Sequence, residues 1–142
     1  MKIVLTLILI FTLNIVFGQT ANTYPIDIEL KTCLDSCVNY TTKGMTDCFI
    51  QSTEKWESEL NLNYQKLQKL LTNVQKEKLI NAQKQWLVYR DKELEFSNQL
   101  YLGMQGTMWI PVAVESKLEL TKQRSLEFSN YISNLTIDNS QK

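Results

Sequence analysis

The sequence predicts an all-α fold: an antiparallel helical bundle of three long helices plus a short N-terminal helix. Two observations carry that prediction. Apolar residues recur every three or four positions along three long stretches, the period of one helix face. No stretch alternates apolar and polar residues over more than a few positions, as a half-buried strand would. The connections are also short, so the stripes are most simply buried against one another in an up-down arrangement.

The chain opens on a segment of another kind. Residues 3–17 are apolar except for Thr6, Thr12 and Asn14, with Lys2 ahead of them and Gly18 behind. This is the layout of a secretory signal peptide, residues 1–18, with cleavage expected after Gly18. The apolar run is about 15 residues, short of the ~20 that span a bilayer, so no stable membrane insertion is expected after cleavage. Residues 19–26 read as an extended lead-in.

The helical domain is expected over residues 27–135. Ile28, Leu30, Cys33, Leu34 and Cys37 recur at helical spacing and predict a short helix from about Asp27 to Cys37. Asn39 to Gly44 is polar and turn-like, and Thr41 or Thr42 can cap the next helix. Its stripe is the clearest in the chain: Met45, Cys48, Phe49, Ser52, Trp56, Leu60, Tyr64, Leu67 and Leu71. The pattern weakens at Thr72-Asn73, a turn short enough to make the second and third helices antiparallel neighbours. Leu79, Gln83, Trp86, Arg90, Leu94 and Tyr101 mark the third helix, ending near Gly103. Residues 103–110 read as a loop, and Pro111 suits the first turn of a fourth helix, where its missing N–H is not needed. Val112, Leu120, Arg124, Phe128 and Leu135 lie on that last stripe, and residues 136–142 are expected to fray.

Composition narrows the function. The 142 residues fit one domain, and 15 basic against 15 acidic side chains leave no stripe to neutralise phosphates, so no nucleic-acid partner is expected. Histidine is absent, which removes Ser-His-Asp triads, Cys-His pairs and His-ligated zinc. Export favours disulfides, and three cysteines leave one thiol over or paired between chains. No C-x-x-C occurs, so neither a redox dithiol nor a zinc knuckle is suggested. No metal and no cofactor are expected.

Three constellations stand out. Asn61, Tyr64, Gln83, Arg90, Asp91 and Arg124 are polar residues on the apolar stripes. A guanidinium there must meet a carboxylate or several carbonyls, so the group is either a register-fixing network or a ligand grip. The loop carries Gly103, Met104, Gly106, Thr107, Met108 and Trp109. It is either a partner-binding surface or, through Met108 and Trp109, a cap on the end of the bundle. Glu115 is the acid with strongly apolar neighbours, the position a carboxylate hydrolase acting on cell-wall glycan would use.

The motifs Gly44-Met45-x-x-Cys48, Glu59-Leu60-Asn61-x-x-Tyr64 and Ala82-Gln83-x-x-Trp86-x-x-Tyr89-Arg90-Asp91 come in that order. Gly103-x-x-Gly106-Thr107 and Leu120-Thr121-x-x-Arg124 follow. Together they resemble the LprI-like family (lysozyme inhibitor LprI, N-terminal domain), over roughly residues 27 to 132. The resemblance implies a small exported helical bacterial protein, periplasmic or extracellular. It implies a disulfide between Cys48 and an early cysteine. The Cys33-Leu34-Asp35 context matches that cysteine better than Cys37 does, which leaves Cys37 spare. A second family pair falls on Leu94 and Ser116, replaced together. The expectation is a non-enzymatic protein that binds a protein partner, lysozyme or another peptidoglycan-cleaving enzyme first. An envelope or immunity-type factor with a different protein partner is the alternative.

Overall fold

The computed structural model describes residues 24–36 and 40–140, and among them it is all helical. The expected signal peptide, most of the lead-in, and Cys37 lie outside the described residues. Four helices follow in order: α1 (Pro25–Leu34), α2 (Thr42–Leu70), α3 (Asn73–Leu102) and α4 (Trp109–Ser140).

Local chemistry sets the ends. Tyr24 is extended and Pro25 sits in the first turn of α1, its fixed φ suited to helix entry. The helix therefore starts two residues before Asp27, inside the expected lead-in, and ends at Leu34 rather than Cys37. Thr41, not Thr42, caps α2, its hydroxyl accepting from the Gly44 N–H at 2.9 Å. Thr72 caps α3 through a reciprocal box with Gln75, so the expected turn residue is a helix start. Pro111 lies in the first turn of α4. That helix runs on through residues 136–140, where fraying was expected, with no Gly or Pro to stop it.

Packing centres on α4. Phe49 and Trp56 of α2 meet Leu118 of α4 in one core cluster, and Tyr24, Ile26, Leu30 and Leu34 bring α1 onto it. Leu60 and Leu67 of α2 meet Phe128 in a second cluster, flanked by Leu79 and Trp86 of α3. Between Leu60 and Leu67 the buried Asn63 amide donates to the Ser125 hydroxyl of α4 at 3.2 Å. Ascending numbers on α2 thus meet ascending numbers on α4, so these two helices run parallel. α3 runs back between them in sequence and packs on α4. The short turn does make α2 and α3 antiparallel, but the close neighbour of α2 is α4. A groove separates α2 from α3, because the apolar residues of α3 are spread around its circumference rather than gathered toward α2.

α1 is held by three kinds of bond. Cys33 and Cys48 form a disulfide with Cα atoms 5.9 Å apart. Asp27 pairs with Lys122 at 2.8 Å, and Glu29 pairs with Lys55. The Tyr24 ring meets Trp56 edge-on, centroids 5.5 Å apart.

Candidate functional site

Two regions answer the sequence-derived candidates. The first is the polar network where α3 crosses α4. The Arg124 side chain is 10% exposed. Its Nε donates to Gln83 Oε1 at 2.9 Å, and its Nη1 reaches Glu127 Oε2 at 2.6 Å. Glu127 Oε1 in turn accepts from the Tyr131 hydroxyl at 2.9 Å, and this bond raises the phenol's pKa above its ordinary value. The guanidinium also lies 4.4 Å from the Phe128 ring centroid and 5.7 Å from that of Trp86. Arg124 is thus bonded to a carboxylate and an amide and flanked by two rings, which offsets its desolvation.

Arg90 approaches the same Trp86 ring at 5.5 Å and pairs with its sequence neighbour Asp91 at 2.8 Å. Asn61, Tyr64, Gln83 and Arg90 line one groove between α2 and α3, of about 510 Å³. Four of the six network candidates therefore share a surface, Arg124 lies beneath it, and Asp91 joins only through Arg90. Asn61 does not belong to the buried stripe. The buried amide is Asn63, which falls with Trp56, Leu60 and Leu67 at i, i+4, i+7 and i+11 on the face toward α4. Glu127 and Tyr131 complete this network although the sequence pattern does not single them out. Each lies within one or two turns of Arg124, at the i, i+3 and i, i+4 spacings that bring helical side chains together.

The second region is the connection from α3 to α4. Gly103 caps α3, and a Cβ there would come within 2.9 Å of the Gln99 carbonyl oxygen. Gly106 has φ +97°, a left-handed conformation that disfavours other residues. The Thr42 hydroxyl donates to Thr107 Oγ1 at 3.2 Å, tying the loop to the start of α2. Met104 and Met108 are exposed, Met108 at 62%. Trp109 belongs to the first turn of α4 and stacks on Tyr101, centroids 6.0 Å apart at 13°. Trp109 therefore folds back on the bundle end, while the two methionines face solvent.

Glu115 is half-buried, and its carboxyl is pushed above the usual value, first by burial and then by the charge of Glu119. A raised carboxyl pKa favours the fold below the unfolded value and loses that contribution as pH rises through the folded one. Glu115→Gln is therefore expected to match the parent at pH 3 and to be slightly more stable at pH 7. Solvent screening keeps the gain below about 0.5 kcal/mol. Urea denaturation at the two pH values checks this. Among the described residues no group of three or more acidic or cysteine side chains gathers as a metal site.

A family model described as "Lysozyme inhibitor LprI" matches residues 33–128. The chain belongs to the LprI lysozyme-inhibitor family. The LprI match begins at the disulfide cysteine Cys33 and ends at Phe128, so it holds all six network candidates and the whole α3–α4 loop. Tyr131 falls just beyond it. No curated protein matches the chain in sequence. Among solved structures, the crystal structure of an uncharacterized protein from Burkholderia thailandensis is similar, with a TM-score of 0.73 and 24% identity. The likeness covers 80% of this chain and 55% of that one, so this LprI chain spans about half the length of its structural relative. At that identity the likeness speaks for the fold.

Proposed function

We propose that the protein is an exported, non-enzymatic binder of lysozyme or another peptidoglycan-cleaving enzyme. The observation that carries this is membership of an inhibitor family across residues 33–128. The contact we assign to it is the α3–α4 loop, where Met104 and Met108 offer adaptable apolar surface. Gly106 shapes that loop, and Trp109, stacked on Tyr101, gives it a rigid base. An exposed loop of this kind suits steric entry into an enzyme cleft, which needs no chemistry from the inhibitor.

Turbidity of a cell-wall suspension with several lysozymes and the protein at micromolar concentration tests the reading. Slowed lysis is expected, and Met108→Asp is expected to weaken the effect at least tenfold by placing a charge in the contact. Unslowed lysis by every lysozyme would remove the inhibitor reading. A pull-down from envelope extract that enriched a different protein would then favour the envelope-factor alternative. The cell-wall hydrolase alternative has only Glu115 behind it, its carboxyl pushed up first by burial and then by Glu119 one turn along the same helix. Hydrolysis unchanged in Glu115→Gln would remove that residue from any such mechanism.

A further inference from the structure

The charges of this protein balance overall but not locally. Between Leu60 and Arg90 the sequence holds Lys66, Lys69, Lys76, Lys78, Lys84 and Arg90 against the single acid Glu77. Arg90 pairs with Asp91, and every lysine and arginine of the described residues outside this stretch is in an ion pair. The five lysines from Lys66 to Lys84 are in none. The unpaired cations of the described residues are therefore gathered on the α2–α3 hairpin, four of them within two turns of its tip.

The same tip is apolar at its centre. Leu67, Leu71, Leu79 and Leu135 border a groove of about 420 Å³ between the ends of α2, α3 and α4, with Lys78 on its rim. Leu70 and Val74 stand exposed beside it, Val74 at 69%, and Ile137 is exposed at the end of α4. A soluble surface seldom leaves apolar side chains such as Leu70 and Val74 exposed beside a cluster of unpaired like charges, because the lysines repel one another and the apolar surface stays in water.

We propose that the α2–α3 tip docks on an anionic phospholipid bilayer. Leu70 and Val74 enter the boundary between headgroups and acyl chains, and Lys66, Lys69, Lys76 and Lys78 meet the phosphates. Stable membrane attachment takes two signals, an apolar insertion and a polybasic patch, and this tip supplies both on one surface. Among the described residues no helix is long and apolar enough to cross a membrane, so the attachment is peripheral. The α3–α4 loop lies at the other end of α3, whose 30 residues span about 45 Å. A docked molecule holds that loop away from the lipid, free for a partner.

Flotation of the protein, purified after export, with phosphatidylglycerol-containing vesicles and with pure phosphatidylcholine vesicles tests the proposal. Binding to the anionic vesicles alone is expected, weakening steeply as salt rises toward about 0.5 M. Each lysine-to-glutamine change at positions 66, 69, 76 and 78 is expected to lower partitioning about fivefold. Val74→Asp, at the start of α3 where an acidic residue suits the helix, is expected to lower it about tenfold with the circular dichroism spectrum unchanged. Equal binding to both vesicle types, no binding, or binding insensitive to the lysines would overturn the proposal. So would binding that survives Val74→Asp and is competed by a soluble polyanion, which would make the tip a polyanion site.

Discussion

Replacing Cys33 and Cys37 together with alanine is expected to destabilise the protein by about 3 kcal/mol. The Cys33–Cys48 bond closes a 15-residue separation, and a loop of that size restricts the unfolded chain by roughly that amount in the chain-entropy account. Removing Cys37 as well keeps a second thiol from taking over Cys48. Cys37→Ala alone is expected to leave stability unchanged. The loss should be local as well as global. α1 has no fully buried residue of its own and rests on Trp56 and Leu118 through half-buried side chains. Its two ion pairs to the bundle, Asp27–Lys122 and Glu29–Lys55, are solvent-reached and worth little each. Without the disulfide, α1 should become the first segment cut in limited proteolysis, while the α2–α4 core stays protected. A parent protein whose urea midpoint is unmoved by a reductant would contradict this account. Peptide mapping without reduction that recovered Cys37 joined to Cys48 would contradict the pairing itself.

Much of this architecture is legible in the residues. The α2 stripe from Cys48 to Leu67 reads directly because α2 buries one continuous face on one helix. The disulfide partner came from a resemblance and not from spacing, since Cys33 and Cys37 lie one helical turn apart and local pattern favours neither. The short turn between α2 and α3 fixes their relative direction and so predicts them as close neighbours. Direction does not fix packing distance. Ile80 and Leu87 point toward the groove while Val88, Tyr89 and Phe96 are exposed, so no single stripe on α3 says which helix it meets. Asn61 and Asn63 show the finest limit. They are two residues apart, about 200° around the helix, and only one of them can face α4. Pro111 lies in the first turn of α4 as its chemistry predicts, but the helix starts two residues ahead of it. Trp109, expected in the loop, is already helical. The unpaired lysines of the hairpin could be counted in the sequence, but their isolation shows only once every other cation is found with its partner.

Phe128→Ala is expected to cost about 3–5 kcal/mol, the largest effect of any single substitution considered. Phe128 is 0% exposed and joins Leu60 and Leu67 of α2 at the centre of the second core cluster. Its ring also lies beside Tyr64, centroids 5.7 Å apart, and under the Arg124 guanidinium. Truncation removes apolar contacts with α2 and strips one face from a mostly buried cation, so the loss combines a cavity with a weakened charge environment. Val88→Ala, on the exposed side of α3, is the matched control and should stay within about 0.5 kcal/mol. Guanidinium denaturation of both variants checks the pair, and a Phe128→Ala loss below about 1 kcal/mol would mean that this cluster is not the core. Phe128 belongs to the second core cluster, whereas the Cys33–Cys48 bond ties α1 to the start of α2, so their costs are expected to add in the combined variant. A combined loss well short of the sum would show that α1 and the second core cluster unfold as one unit. Additivity would leave the disulfide end and the lysine-bearing tip as separately adjustable halves of one bundle.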